Sequence, residues 1–138
     1  MDFYPGDNYV DWIGVSVFGQ IMGSNASNIY YVAEKTKELH KPLMIAESTP
    51  YGVQTIYGAY SWSEWFWPIF NFIEKYDVKM FSYINSDWEE LPMFQGQGWG
   101  NARIEADSYV QGKWLQRMSN SVYMHASTNL FQLLGYSP

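Results

Sequence analysis

Three apolar runs divide the chain, and each is followed by a polar or aromatic loop and then by a segment with helical spacing. The runs occupy residues 9–18, 43–46 and 78–85; the first is rich in β-branched and aromatic side chains, and the second is apolar without interruption. Short apolar runs bounded by turn residues are typical of strands that are buried on both faces of a parallel sheet. The pattern therefore predicts three parallel strands, of which the second opens after Pro42 and stops on Glu47.

Apolar residues at helical spacing follow each predicted strand. The first helix should end before Pro42, because proline prevents its continuation. The second is expected to begin at the capping-box pattern of residues 61–64, with Pro68 either kinking it or restarting it. The third should be capped by Asp107 or Ser108. Its inward residues are predicted to be Val110, Trp114, Leu115 and Met118.

The predicted loops that leave the strands are long, whereas the returns from helix to strand are short. This asymmetry is typical of α/β proteins whose working edge lies at the carboxyl ends of the strands. It fits a segment of a (β/α)8 barrel or part of a doubly wound sheet. In either architecture Glu47 is expected at the rim where ligands bind. The plain alternative is a solvated carboxylate in the turn that precedes Pro50.

Composition narrows the classes of partner. The chain has 138 residues and a formal charge of −6, which argues against binding to nucleic acid or to an anionic membrane surface. It has no cysteine, so neither a disulfide framework nor thiolate chemistry is expected. No histidine has a partner at ligand spacing, and no metal or other cofactor is predicted. No glycine-rich phosphate loop follows a predicted strand, which argues against a flavodoxin-like domain.

Aromatic residues make up 20% of the chain, with 7 Trp and 12 Tyr. Many of them fall near predicted strand ends rather than in helical stripes. Aromatic rings in such places either belong to the core or form flat platforms on which sugar rings stack through their C–H faces. No run approaches the length of a membrane-spanning helix, and the first residues lack the basic and apolar regions of a signal peptide.

Three segments carry a resemblance to a known group of enzymes. They are YPGDNYVDWIGV at residues 4–15, KPLMIAE at residues 41–47 and FSYINSDW at residues 81–88. In this order they resemble the C-terminal part of retaining glycoside hydrolases, in the clan that includes the endo-β-mannanases of family 26 and the cellulases of family 5. The similarity covers roughly residues 4–120, and the first segment followed by a strand ending in Glu is specific as a pair.

The resemblance implies a (β/α)8 barrel in which these segments are strands six to eight, so that the barrel is incomplete in this chain. It assigns residues 1–120 to the C-terminal βα units of a catalytic domain and leaves residues 121–138 as a tail, with a short helix expected around residues 129–134. Glu47 corresponds to the nucleophile of such enzymes. Hydrolysis with retention of the anomeric configuration requires a second carboxylate roughly 5 Å from the nucleophile. The resemblance places that acid/base upstream of these residues, at the end of the fourth barrel strand.

Other site residues follow from the same comparison. Trp88 corresponds to an aromatic that stacks under the sugar at the cleavage point; the alternative is a loop anchor. Asn85 is expected to hydrogen-bond a sugar hydroxyl or to support a residue that does. Phe18 and Tyr51 are candidate subsite walls, and each is as readily a hydrophobic lid. Residues 99–103 (WGNAR) resemble a WGDSR loop, with Asn and Ala replacing Asp and Ser, which leaves the role of this loop open.

Two functions remain open from the sequence. The first is a retaining, endo-acting hydrolase of a β-linked polysaccharide such as mannan or glucan, secreted because polymeric glycans lie outside the cell. The second is a non-catalytic glycan-binding or scaffold fragment that lacks the acid/base. Since three βα units leave two bare sheet edges, association with the missing barrel half or with a second copy is expected. The inner faces of Trp12, Val15, Met44 and Phe81 should then lack an opposite wall.

Overall fold

A computed structural model of the chain describes residues 4–21 and 26–136. Within these residues the fold is mixed α/β, and its one sheet has three strands: β1 (Ile13–Val17), β2 (Leu43–Ser48) and β3 (Met80–Phe81). The spatial order is β1-β2-β3, and both pairs of neighbours are parallel. The three predicted parallel strands are therefore confirmed. β1 and β3 are shorter than predicted, and single bonds such as Ile84 N to Ser48 O (2.9 Å) continue the pairing beyond β3.

Helices fill the connections between the strands and follow the last one. They are α1 (Ala26–Glu38), α2 (Ala59–Ser61), α3 (Trp67–Tyr76), α4 (Ser108–Met118) and α5 (Leu130–Leu133). A π-helical turn, Trp62–Phe66, joins α2 to α3, and single 3-10 turns occupy Asp7–Tyr9, Thr55–Tyr57, Trp88–Glu90 and Ile104–Ala106. The side chain of Asp107 caps α4, as predicted, by accepting the N–H groups of Tyr109 and Val110. The short helix expected in the tail is α5.

The π turn has a simple cause in Pro68. Proline has no N–H, so the carbonyl four residues earlier cannot receive its α-helical hydrogen bond. The preceding turn widens, and the Trp67 N–H donates to the carbonyl of Trp62, five residues back. The predicted capping box at residues 61–64 is wrong: the helical run already begins at Ala59, and the hydroxyl of Ser61 donates to the carbonyl of Gln54.

One face of the sheet is covered by α1, α3 and α4. In β1 the buried residues are Ile13, Val15 and Val17, in strict alternation with exposed Gly14 and Ser16. The helices contribute mainly aromatic side chains to the core on this face. The fully buried ones are Trp65, Phe66, Phe70 and Phe72, and half-buried Tyr83 and Trp114 pack against them.

The opposite face of the sheet is uncovered by the described residues. Trp12 and Met80, which are 44% and 45% exposed, belong to the strand ends, and Gly14 and Met44 lie in contact at its centre. Val15 and Phe81 do not belong to this face, contrary to the expectation: Val15 is buried in the helix-facing core, and Phe81 packs against Phe70 and Trp114. The uncovered surface is therefore narrower and less aromatic than predicted.

Leu115 is the other misassigned core residue. It is 61% exposed, whereas Val110 is buried and Trp114 and Met118 are half-buried. Residues 110, 114 and 118 recur at intervals of four and share one side of α4, and residue 115 lies about 100° away from that stripe. Among the described residues, no helix is long and apolar enough to cross a membrane.

Replacing Phe70 by Ala should lower the free energy of unfolding by about 3–5 kcal/mol, because the change leaves a cavity among Trp62, Phe81 and Trp114. The matched control is Leu115→Ala on the solvent side of α4, which should change stability by less than about 0.5 kcal/mol. Urea unfolding followed by circular dichroism measures both variants. Equal losses in the two would contradict the packing described.

Candidate active site

A β-bulge in β2 decides where Glu47 points. Strict alternation from buried Leu43 and Ile45 would place residue 47 beneath the helices. Ile45 is paired with Val15, but the next residue of β1, Ser16, is paired with Glu47, so Ala46 is an extra residue in the ladder. The alternation is thereby shifted by one position, and Ser48 takes the next buried place. Bulges of this kind re-aim side chains next to functional sites.

Glu47 is exposed on the uncovered face of the sheet, at the carboxyl end of β2. Its Oε2 accepts a hydrogen bond from the hydroxyl of Ser16 at 3.3 Å, and Oε1 accepts none from the described residues. The backbone beside it is fixed from the other face, where the buried Ser48 hydroxyl donates to the carbonyl of Ser82 at 2.7 Å. The carboxylate is thus oriented by one neighbour and keeps one oxygen available to a ligand.

An aromatic cluster lies at the same end of the sheet. At its centre is the half-buried ring of Trp99, whose neighbours come from the loops that follow all three strands. The centroid of the Trp99 ring lies 5.3 Å from the ring centroid of Phe18, 4.8 Å from that of Tyr51, 5.1 Å from that of Trp88 and 5.6 Å from that of Phe94. Aromatic pairs at such distances are each worth about 0.5–1.5 kcal/mol beyond their buried area. Phe18, Tyr51 and Trp88, which were singled out separately from the sequence, therefore form one surface.

Trp88 is also tied to the strand that carries Glu47. Its indole N–H donates to the hydroxyl of Thr49 at 3.2 Å, two residues beyond Glu47. The Thr49 N–H in turn donates to the carbonyl of Val17 at 3.3 Å. The indole of Trp88 is consequently held in a fixed position relative to the end of β2.

Backbone hydrogen bonds join the loop after β2 to the loop after β3. The Gly52 N–H donates to the carbonyl of Gly98 at 3.1 Å, and the Thr55 N–H donates to the carbonyl of Asn101 at 2.8 Å. Between these bonds Gly100 has a φ of +64°, and a Cβ there would lie 2.0 Å from the Cδ of Gln54. Only glycine combines this backbone conformation with so close an approach.

A polar network closes the base of the loop after β3. Asp87 and Asn101 form an antiparallel bridge, and Oδ2 of Asp87 accepts from Asn101 Nδ2 at 2.7 Å and from the Arg103 guanidinium at 3.1 Å. The Oδ1 of Asn101 accepts the Arg103 N–H at 3.0 Å. An aspartate at position 101 would instead set a second carboxylate against Asp87. The Asn in the WGNAR segment therefore has a structural role in this chain.

Asn85 lies at the rim, but its amide serves the chain itself. Its Oδ1 accepts the N–H of Ile104 at 2.7 Å, and its Nδ2 donates to Oε2 of Glu105 at 3.1 Å. The second bond lowers the pKa of the Glu105 carboxyl. Asn85 thus anchors the segment before α4 through these two bonds. Burial raises the pKa of the neighbouring Tyr83, which donates to the carbonyl of Ala102.

The remaining local acids are engaged or exposed at the loop surface. Glu89 accepts the Gly96 N–H through Oε2 at 3.1 Å, and Glu90 lies 4.0 Å from Arg103 in an exposed ion pair. Within residues 4–21 and 26–136, no three His, Cys, Asp or Glu side chains are grouped so that they could hold a metal ion.

Trp99 is the site residue that sequence reasoning passed over. It lies in a segment with three glycines, Gly96, Gly98 and Gly100, which all have positive φ, and the last two flank it. A large aromatic residue between two glycines indicates a ring that is positioned by unusual backbone geometry. Here that geometry brings the Trp99 ring into contact with Phe18, Tyr51 and Trp88.

Two curated proteins are similar to this chain over nearly its full length. A β-1,3-xylanase of an Alcaligenes species is 33% identical over 158 residues, covering 97% of this chain and 33% of the relative. The β-1,3-xylanase TXYA of a Vibrio species is 33% identical over 158 residues, covering 97% of this chain and 34% of the relative. The chain therefore spans about a third of the length of these relatives. No family model matches it.

Replacing Gly100 by Ala should lower the free energy of unfolding by about 1–2 kcal/mol from the left-handed backbone alone, because a Cβ is unfavourable there. The displaced Gln54 side chain adds to this loss. The near-UV circular dichroism of the aromatic cluster should weaken with it. The control is Gly112→Ala within α4, where nothing lies within 4 Å of the added Cβ. The free energy of unfolding of that variant should be higher by about 0.5–1 kcal/mol. An unchanged Gly100→Ala protein would contradict the loop geometry.

Proposed function

We propose that this chain supplies the nucleophile half of the active site of a retaining glycoside hydrolase that cleaves β-1,3-linked xylan. The observation that carries the proposal is the bulge at Ala46, which turns Glu47 onto the uncovered face at the carboxyl end of β2. The similarity to two β-1,3-xylanases supports the enzyme class. It also favours xylan over the mannan or glucan expected from the sequence.

In the proposed mechanism, Oε1 of Glu47 attacks the anomeric carbon and forms a glycosyl ester while the bond to the leaving oxygen breaks. The Ser16 hydroxyl, bonded to Oε2, holds the carboxylate in one orientation. The proton for the leaving oxygen comes from a carboxylic acid outside the described residues. The same group, now a carboxylate, removes a proton from the water that hydrolyses the ester.

The aromatic cluster provides the surface for the sugar chain. Trp88 is the proposed platform beside the cleavage point, because its indole N–H ties it to Thr49 near Glu47. Phe18 and Tyr51 extend this surface, and both contact Trp99 edge-on. Asn85 acts indirectly, by fixing the start of the segment that leads to α4.

The three βα units are proposed to be strands six to eight of a (β/α)8 barrel, with the uncovered face directed into it. Helices on a single face and polar or small residues on the other, such as Gly14 and Ser16, are compatible with that arrangement. The partner that completes the barrel opposite the uncovered face is then a set of further βα units or a second copy of the chain. An extracellular location follows from the substrate, because polymeric xylan lies outside the cell.

The second candidate is a non-catalytic glycan-binding fragment. It is favoured by the state of the local acids, since Asp87 is bonded to Asn101 and Arg103 and Glu89 to Gly96. None of these carboxylates is left to serve as the acid/base. A glycosyl ester on Glu47 would distinguish the two functions, because a binding fragment does not form one.

A 2,4-dinitrophenyl 2-deoxy-2-fluoro-β-xylobioside should label Glu47 of this chain covalently. Its dinitrophenolate departs without protonation, so the nucleophile can react even where the acid is absent. Peptide mapping by mass spectrometry should place the fluoroxylobiosyl group on the peptide that contains Glu47, and Glu47→Gln should abolish it.

The control for the labelling is Glu105→Gln, which removes the same charge at an exposed position of the rim. It should be labelled like the parent chain. The reaction is run on the chain alone and after addition of the upstream barrel portion of a β-1,3-xylanase relative. Absence of label in both mixtures, or labelling that survives Glu47→Gln, would refute the nucleophile.

Sedimentation velocity tests the uncovered face. The chain should sediment as a dimer or larger species, because the face that contains Met44 and Met80 has no cover within the described residues. Met80→Lys should shift the population toward monomer, whereas Leu115→Lys on the helical side should not. A monomeric parent chain with one cooperative thermal transition would contradict the need for a covering partner.

A further inference from the structure

A groove with a volume of about 310 Å³ lies on the solvent side of the helical layer, between α3 and α4. This volume falls at the lower end of the range for ligand pockets, about 300–1,000 Å³. The groove is on the helical side of the sheet, whereas Glu47 is on the opposite, uncovered face. Its lining consists of Trp62, Trp67, Lys113, Gln116, Arg117 and Asn120.

The π turn places the two indoles on the same side of the helix. In a regular α-helix, residues five apart point about 140° away from each other. Here the N–H of Trp67 donates to the carbonyl of Trp62, so Trp67 lies one widened turn above Trp62. Trp62 is stacked on Phe66 with an angle of 12° between the rings, whereas Trp67 remains 51% exposed. A large exposed indole beside a groove is a frequent feature of binding sites.

The opposite wall, on α4, is rich in hydrogen-bond donors. Lys113, Gln116 and Arg117 lie at i, i+3 and i+4 and share one side of the helix. The Gln116 side chain makes no hydrogen bond within the described residues. Arg117 is paired with Glu74 at 2.5 Å through one terminal nitrogen, but its buried Nε has no acceptor there. Asn120 uses its Oδ1 to accept the Val122 N–H, which leaves its two amide donors.

This combination selects the chemistry of the ligand. Two indoles favour a molecule with a flat apolar face, and the donors require several acceptor oxygens around its edge. A pyranose ring in a β-linked glycan has both features, with its C–H face against Trp67 and its hydroxyl oxygens toward Gln116 and Lys113.

The geometry points to a second, non-catalytic binding site for a segment of the xylan chain, formed by Trp62 and Trp67 on one wall and α4 on the other. This inference rests on the proposed function, because it takes its ligand from the polymer that Glu47 would cleave. It assigns the protein two separate contacts with one polymeric substrate, which would keep the enzyme on the polymer between cleavages.

Completion of a barrel does not account for the groove. Further βα units would attach at the free edges of β1 and β3 and would cover the open face of the sheet. The groove lies instead between α3 and α4, two neighbours that are already in contact through the Arg117–Glu74 pair and the Phe70–Trp114 rings.

Titration of the ¹⁵N-labelled 138-residue chain with β-1,3-xylotetraose tests the inference. The indole N–H signals of Trp62 and Trp67 and the amide signals of Gln116 should shift together with a single Kd. Trp67→Ala should raise that Kd about tenfold, as truncation of a central aromatic anchor does. Gln116→Ala, an exposed change that leaves the fold untouched, should raise it about threefold.

Trp88→Ala and Leu115→Ala are the controls, since the first removes the rim platform and the second alters α4 outside the groove. Both should leave the groove Kd unchanged. The inference is overturned if the Trp62 and Trp67 signals stay still, if Trp67→Ala binds like the parent, or if Trp88→Ala abolishes all binding. Labelling of Glu47 by the fluoroxylobioside should persist in Trp67→Ala, so failure of the groove and failure of the nucleophile give different results.

Discussion

The register shift in β2 is the constraint on which the site depends. A strand has a period of two, so a side chain can change faces only when one strand of a pair carries an extra residue. Ala46 is that residue, and it separates Glu47 from the buried series of Leu43 and Ile45. A charged group among the aromatic rings of the helix-facing core would have no partner and would be strongly disfavoured. The bulge therefore stabilises the fold and directs the carboxylate in the same step.

Two layers of the molecule meet at this strand. On the helical side, close packing of Trp65, Phe66 and Phe70 makes the units a coherent block. On the other side, small or polar residues such as Gly14 and Ser16 leave space beside Glu47. Burial on one face and accessibility on the other arise from a single strand because its two faces have different side chains.

Much of the architecture could be predicted from the sequence. Pro42 and the apolar run after it predicted the position of β2, and Asp107 predicted the start of α4. Phe18, Tyr51 and Trp88 could be expected at one edge because each follows a strand of a parallel sheet. These predictions depend on local composition and on the common direction of the strands, both of which are visible in a single sequence.

Other features have no local signature. A bulge changes pairing without changing composition, so alternation alone would have buried Glu47 with Ile45. The place of Phe81 on the helical face depends on Phe70 and Trp114, which are distant in sequence, so its position in the strand could not predict it. The pattern leaves open whether Pro68 kinks the helix or restarts it, and the structure combines the two, because the π turn precedes Pro68 and Pro68 is the second residue of α3.

The bonds from Gly52 to Gly98 and from Thr55 to Asn101 have a consequence for ligand recognition. Because they join two long loops into one unit, the rings around Trp99 keep their arrangement without a ligand. Under the proposed function, a sugar chain docks on a preformed surface, and little conformational entropy is lost from the protein. Changes in these loops should therefore appear in the entropy of association more than in its enthalpy.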